Sequence, residues 1–316
     1  MSTRSELSLR MRRMLSTGRA SSVFDRLTES PIGWILPACL FLAVFQLYPL
    51  VEVLRLSLTN SSLIRPETSY IGLQNYETIL TGNQLPGAVI TTTWYVVSNL
   101  ILQIGLGLLF AILIDHGVRN KLRGSLLTRL AIMSAWIVPG IIVGFVWRIM
   151  LLETEYGLLN FVLIEASIGA VSFLSDPWNA FASVIVADVW RGVAFSMILL
   201  YAGLKRVPDQ LYRAAKIDGA GVIARYWYVV LPQLKGIAFI VTILVSINSL
   251  NTFDLIFSLT DGGPSKATTV LSLLMYNLGF TSFKTGRASA AAVVLLVITM
   301  GLALIYIWAY DLKEAI

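Results

Sequence analysis

Two small groups of polar residues interrupt stretches that are otherwise apolar. Asp188 and Arg191 stand three apart within residues 180–204, and Asn248, Asn251 and Asp254 recur every three residues within 236–259, beside Phe253 and Phe257. A charge near the centre of a membrane helix costs roughly 2.5 to 3.5 kcal/mol on the insertion scale, so residues of this kind ask for a reason. On a helix a spacing of three puts Asp188 and Arg191 on one face, where they either neutralise each other or line a polar cavity. Amides beside aromatic rings offer both hydrogen bonds and an apolar platform, the combination a polyhydroxylated solute needs. Hydrogen bonding between helices is the competing reading for the asparagines.

Enzymatic chemistry has little to work with. His116 is the only histidine and falls in a short turn; Cys39 is the only cysteine and falls inside an apolar run. A nucleophile with its base, or a metal cluster, would need partners that are not there. No catalytic residue and no metal ligand is expected. A phosphate loop of the form GxxxxGK[ST] does not occur; Gly262, Gly263, Pro264, Ser265 and Lys266 have the wrong spacing and read as a turn.

The elements that must position these residues follow from composition. Of 316 residues 56% are hydrophobic and only 13% charged. That is more apolar surface than a water-soluble core can hide. A helix needs about 20 apolar residues to cross a bilayer. Six runs qualify: 32–58, 87–114, 126–152, 180–204, 236–259 and 289–310. Continuous apolar character favours helices over a barrel, whose strands would alternate. The expectation is an all-α integral membrane protein with six transmembrane helices, spanning 31–316 behind a basic, serine-rich tail at 1–30. The first run lies too deep and is too long for a cleaved leader, so it is expected to stay as a helix.

Lysine and arginine set the orientation, because positively charged loops stay on the cytoplasmic side. Six arginines precede the first run; Arg119, Lys121 and Arg123 follow the second, and six cations follow the fourth. The opposite side has Arg65 in its first loop, none in its second, and Lys266, Lys284 and Arg287 in its third. Both termini are therefore expected inside. The net charge of +6 is a topological signal and gives no reason to expect nucleic acid as a partner.

The loop at 205–234 carries its own pattern. Pro208 suits a first helical turn, Asp209 the positive end of a helix dipole and Gly219 a stop. Leu211, Ala214 and Ala215 share a face on the short helix between them, and the alanines would allow close approach of another protein surface. A second amphipathic stretch, Val222 to Leu231, follows before Pro232 leads into the fifth run.

At this loop the sequence resembles a family. Arg213-Ala214-Ala215, then Asp218-Gly219-Ala220, then Val229 and Leu231-Pro232 are similar to the EAA motif of ABC importer permeases, with Arg213 in place of the usual first glutamate. Thr252 to Ile256, Leu259 to Pro264 and Ala267 to Thr269 resemble a stretch of the carbohydrate permeases of the MalF and UgpA type. Tyr276, Phe280 and the small residues Gly286, Ala288, Ala290 and Ala291 continue it, and Tyr70 to Tyr76 resembles their outer-loop signature. The resemblance implies the type I ABC importer permease fold in a bacterial cytoplasmic (inner) membrane. It implies a coupling helix carrying Arg213, Ala214, Ala215, Asp218, Gly219 and Ala220 toward an ATPase, and a sugar site near Asp188, Arg191, Gly192, Phe195 and Asn248, to which the three-residue spacing adds Asn251 and Asp254. It also implies partners: a MalG-like second permease, a dimer of ATP-binding subunits and an extracytoplasmic solute-binding protein. ATP and Mg would be handled by the ATPase, with no cofactor on this chain.

A secondary transporter driven by an ion gradient is the rival reading. It explains the six runs but leaves the loop unexplained, and the paired broken helices or internal repeat of such proteins are not visible in the sequence. A structural scaffold would leave the intramembrane charges unexplained. Maltose-like oligosaccharides, other glycosides, polyols and glycerol phosphate all remain open as substrates. The absence of a dense arginine cluster in the runs favours a neutral sugar over a phosphate.

Overall fold

A computed structural model describes residues 31–314 apart from 66, and the basic tail at 1–30 lies outside the described residues. Among the described residues the chain is helical, with one isolated bridge between Thr59 and Tyr70. It divides into two compact units, one through Arg55 and one from Leu56 onward. The first holds most of α1 (31–57), an apolar helix with one π turn at Ala43–Leu47. Its charges are paired locally, the Arg55 guanidinium meeting Glu52 one turn away.

The second unit contains α2 (Gln74–Thr81), α3 (Gln84–Arg119), α4 (Ser125–Ile137), α5 (Gly140–Met150), α6 (Leu158–Glu165) and α7 (Pro177–Leu204). Beyond the loop helices α8 (Asp209–Ile217) and α9 (Val222–Gln233) come α10 (Lys235–Asn251), α11 (Asp254–Leu259), α12 (Leu271–Thr281) and α13 (Thr285–Glu314). Four helices, within α1, α3, α7 and α13, are long and apolar enough to cross a membrane singly, and two bent pairs raise the number to six.

The run at 126–152 is therefore not one straight helix. α4 and α5 meet at an angle of 100°. At 1.5 Å per residue neither would reach across about 30 Å of hydrocarbon alone. Pro139 supplies the cause: it lacks an N–H and drives the preceding residue out of helical geometry, and Val138 is extended at ψ 126°. The run at 236–259 is also interrupted, at Thr252–Phe253, where Thr252 is extended at ψ 124°. No proline stands there. The Thr252 carbonyl released by the break instead accepts a hydrogen bond from Ser272 Oγ at 2.6 Å. Broken helices, which are not visible in the sequence, thus occur at two places. A third angle, 73° between α9 and α10, falls at Leu234, two residues beyond the Pro232 expected to lead into the fifth run.

Glycines allow the closest approaches. A Cβ on Gly107 of α3 would lie 2.6 Å from Ser196 Cβ and 3.0 Å from the Met197 nitrogen of α7, so these two long helices touch nearly backbone to backbone. The GxxxG of α5 receives α11 in the same way: a Cβ on Gly140 would strike the Asp254 carboxylate, and one on Gly144 would strike Ser258 Oγ. Small residues at such crossings let van der Waals packing hold helices that lipid does not force together. The two breaks are thereby joined, since the half-helix after one packs on the half-helix after the other.

Candidate transport site and its coupling loop

The α7–α10 loop folds back on the ends of α3 and α7. Asp209 begins α8, and Gly219 closes it at φ 78°, a left-handed conformation that side chains resist. The Ala220 N–H bonds the Ala215 carbonyl, completing the stop. α9 follows with a π turn at Arg225–Val230.

A buried carboxylate holds this assembly in place, and nothing in the sequence had singled it out. Asp115, fully enclosed on the last turns of α3, accepts hydrogen bonds from Arg119 Nε at 2.8 Å, Tyr226 OH at 3.0 Å, Lys205 Nζ at 3.2 Å and Tyr212 OH at 3.4 Å. Arg119 also pairs with Asp209 at the start of α8, and its guanidinium lies 3.8 Å above the Tyr212 ring. Burial first, then the Asp115 charge, push the Tyr212 hydroxyl up to about 12 and raise that of Tyr226 as well. Both phenols therefore stay protonated and donate at neutral pH. The hydrogen bond from Arg119 holds the Asp209 carboxyl below its ordinary range.

α8 shows a different outward face from the one its pattern suggested. Leu211 and Ala215 turn inward, Ala215 being buried, so they cannot form an open docking face together with Ala214. Arg213, Ala214, Lys216, Asp218 and Gly219 are exposed, and Ala220 is half-buried. Ile217 at 85% exposure on α8, and Ile223 at 84%, Trp227 and Tyr228 on α9, are large apolar side chains left exposed on the two loop helices.

Away from the loop, the polar residues of the runs separate into two places. Asp188 is buried between α7 and α3, where Tyr95 OH donates to it at 2.7 Å and Gln103 Nε2 at 3.4 Å. Gln103 also donates to Asn99 at 2.7 Å. Gly192 leaves room for the Gln103 amide, which would lie 2.3 Å from a Cβ there. Asn99 and Gln103 are visible in the sequence as polar residues of the second run but do not by themselves mark a site, and Tyr95 escapes a search for charges; their four-residue spacing on α3 places all three on one face.

Arg191 is not hydrogen-bonded into this group and acts on Asp188 only through its charge. Among the described residues it forms no ion pair with Asp188, so the expected mutual neutralisation is not a direct contact, and its enclosed Nε meets no hydrogen-bond partner. It lines a cavity of about 460 Å³ together with Trp136, Phe195, Leu244, Ile247 and Asn248. The Trp136 and Phe195 rings stand 5.8 Å apart. Three of the seven residues expected around a solute therefore share one cavity. Asn251 is exposed and donates to the Ile247 carbonyl, while Asp254 lies beyond the break and packs on Gly140. Phe253 and Phe257 stack on each other at 5.3 Å, Phe253 lies tilted against Tyr276 and Phe257 meets it edge-on, and none of the three lines the Arg191 cavity.

The comparisons agree with this architecture. The trehalose/maltose transport system permease protein MalF of Thermococcus litoralis is 34% identical over 88% of this chain and 93% of its own length. A probable ABC transporter permease, YurN of Bacillus subtilis, is 31% identical over 87% and 93%. Among solved structures, a chain of a bacterial alginate ABC transporter in complex with an alginate pentasaccharide-bound periplasmic protein superposes with a TM-score of 0.76 at 20% identity, covering 92% of this chain and 96% of that one. The fold is the type I permease fold of ABC importers. With residues 77–314 matched by the model of the family described as "Binding-protein-dependent transport system inner membrane component", and with relatives of this similarity along most of its length, the chain belongs to that family.

Proposed function

We propose that this chain forms one half of the pore of an ATP-driven importer for a saccharide, and that the cavity at Arg191, Phe195, Asn248 and Trp136 is where the solute passes. The observation that carries the reading is α8: its inner face is anchored by hydrogen bonds and packing, while Ile217 and its neighbours face outward with nothing covering them. An anchored helix with an open apolar tip is suited to receive a push from another protein. The relatives support a saccharide, one by name a trehalose/maltose permease and one structure a transporter of alginate. The cavity supports it as well, since the Asn248 amide and the guanidinium can bond hydroxyls beside two aromatic rings.

The partners are a MalG-like permease that completes the pore, a dimer of ATP-binding subunits that carries ATP and Mg, and an extracytoplasmic binding protein that delivers the sugar. The structure of the alginate relative contains a periplasmic protein, which supports the last of these. The loop end faces the cytoplasm, along with both termini. Closure of the ATPases around ATP would drive α8 inward, rock the two permease halves and open the cavity outward; hydrolysis would reset them. Only the preference of ATP for the closed dimer can supply that bias.

The test is affinity purification in mild detergent with identification of co-purifying chains, for wild type, Gly219→Pro and Ile217→Asp. Proline cannot adopt the positive φ of Gly219, and the exposed Ile217 can be changed without disturbing the interior. An ATPase retained by wild type and lost by both variants is the expected result. A wild-type chain that binds no ATPase and moves solute alone would sink the reading.

A further inference from the structure

We infer that Asp115 is the joint through which movement of α8 is passed to α3 and α7, a positioning residue for transport. The inference rests on the reading of α8 as the ATPase-facing helix. Four elements converge on this one carboxylate: α3 supplies Asp115 and Arg119, the end of α7 supplies Lys205, α8 supplies Tyr212, and α9 supplies Tyr226. Arg119 adds a second grip on α8 through Asp209 and through the face of the Tyr212 ring.

Packing alone does not call for this arrangement. An enclosed ion cluster generally contributes no more stability than well-packed apolar side chains of the same volume, so its presence points to a requirement for direction rather than for adhesion. Apolar surfaces slide over one another at little cost, whereas hydrogen bonds to a single carboxylate are lost when a donor moves by about an ångström. α3 and α7 are also the helices that carry the polar interior: Tyr95, Asn99 and Gln103 on one, Asp188, Arg191 and Phe195 on the other. Their backbones meet at Gly107 and Ser196, so a displacement at Asp115 and Lys205 is carried by two stiff, closely packed rods toward the Arg191 cavity. The joint is graded. Asp115 is fully enclosed, whereas the Arg119 contact to Asp209 is open to solvent on the Asp209 side and is the weaker grip as α8 moves.

The experiment uses the complete importer in proteoliposomes with its binding protein, and reads ATP hydrolysed per solute imported. Asp115→Asn keeps an acceptor for the two phenols but removes the charge that holds Lys205 and Arg119. It is expected to assemble, to hydrolyse ATP within about twofold of wild type, and to import about tenfold less solute per ATP, within the range by which residues in a coupled network shift coupling. Asp115→Glu is expected to recover part of the ratio. Should Asp115→Asn fail to assemble, Tyr226→Phe and Arg119→Lys carry the test, each expected to lower the ratio severalfold in an assembled complex. A wild-type ratio in Asp115→Asn, or in both of those variants, overturns the joint. A merely structural role would lower the amount of complex and leave the ratio untouched. The wild-type arm isolates the importer reading: if it shows no ATP-driven uptake, that reading fails, and the joint with it.

Discussion

Asp115 and Asp188 are both buried aspartates of the same helical bundle, and their surroundings are opposite. Asp115 is met by two cations and two phenols. Asp188 receives only neutral donors, Tyr95 and Gln103, and the guanidinium one helical turn away faces a cavity instead. The first arrangement is closed: its donors and acceptor satisfy one another within the chain. The second is open, with Arg191 Nε enclosed and unpartnered. Charges that the chain satisfies internally hold it together, and a charge left unsatisfied next to a cavity is available to something that enters.

Removing the closed carboxylate tests the contrast most severely. Asp115→Leu takes the carboxylate from Lys205 and leaves Arg119 only its contact with Asp209. Truncating one partner of a buried pair commonly costs about 3 to 5 kcal/mol, and the partial exposure of both cations brings the expected loss down to about 2 to 3 kcal/mol. The melting temperature of the detergent-solubilised complex should drop clearly, and an unchanged value would show that the cluster is not closed. Tyr95→Phe takes away the short hydrogen bond to Asp188 and leaves the 3.4 Å contact from Gln103, an expected loss of about 1 to 3 kcal/mol.

Arg191→Met sharpens the other side of the contrast. This guanidinium makes no ion pair among the described residues and acts on Asp188 only through its charge, so stability should change little while solute uptake falls. A large drop in melting temperature would mean that Arg191 is structural. The smallest effect is expected far from both aspartates, in the α5–α7 connection. There Glu153 accepts hydrogen bonds from the Ser175 hydroxyl and from the backbone N–H groups of Leu174 and Ser175, which hold its carboxyl below the usual range. Its contribution is present above the unfolded carboxyl value and is lost as pH falls through the lowered folded value. The protection of the Leu174 and Ser175 amides, taken relative to the intrinsic exchange rate at each pH, should therefore fall on acidification in wild type, and Glu153→Gln should flatten that dependence.

Much of the architecture was legible in advance. Four of the six apolar runs coincide with single helices, α8 begins at Asp209 as its charge suggested, and Gly219 ends it in the left-handed region that suits glycine. The two helix breaks mark the limit of that reading. Pro139 announces the first by its own chemistry. The second, at Thr252–Phe253, depends on Ser272 reaching the freed carbonyl and on Gly140 and Gly144 admitting Asp254 and Ser258. The Asp115 cluster was hidden for the same reason: its partners Lys205, Tyr212 and Tyr226 lie 90, 97 and 111 residues away, so no local spacing connects them.

By itself, the sequence determined what depends on neighbours along the chain. Runs of apolar residues must become helices, because lipid leaves backbone groups no other partners; a proline can break one, as Pro139 does, and a glycine can end one. Only the tertiary structure decided which polar groups are spent on each other and which remain free. Asp188 went to Tyr95, leaving Arg191 to the cavity, and Asp115 gathered donors from four elements. Burial makes a charge costly until a partner is found, and in a folded chain that partner is set by proximity in space, which residue spacing along the sequence does not encode.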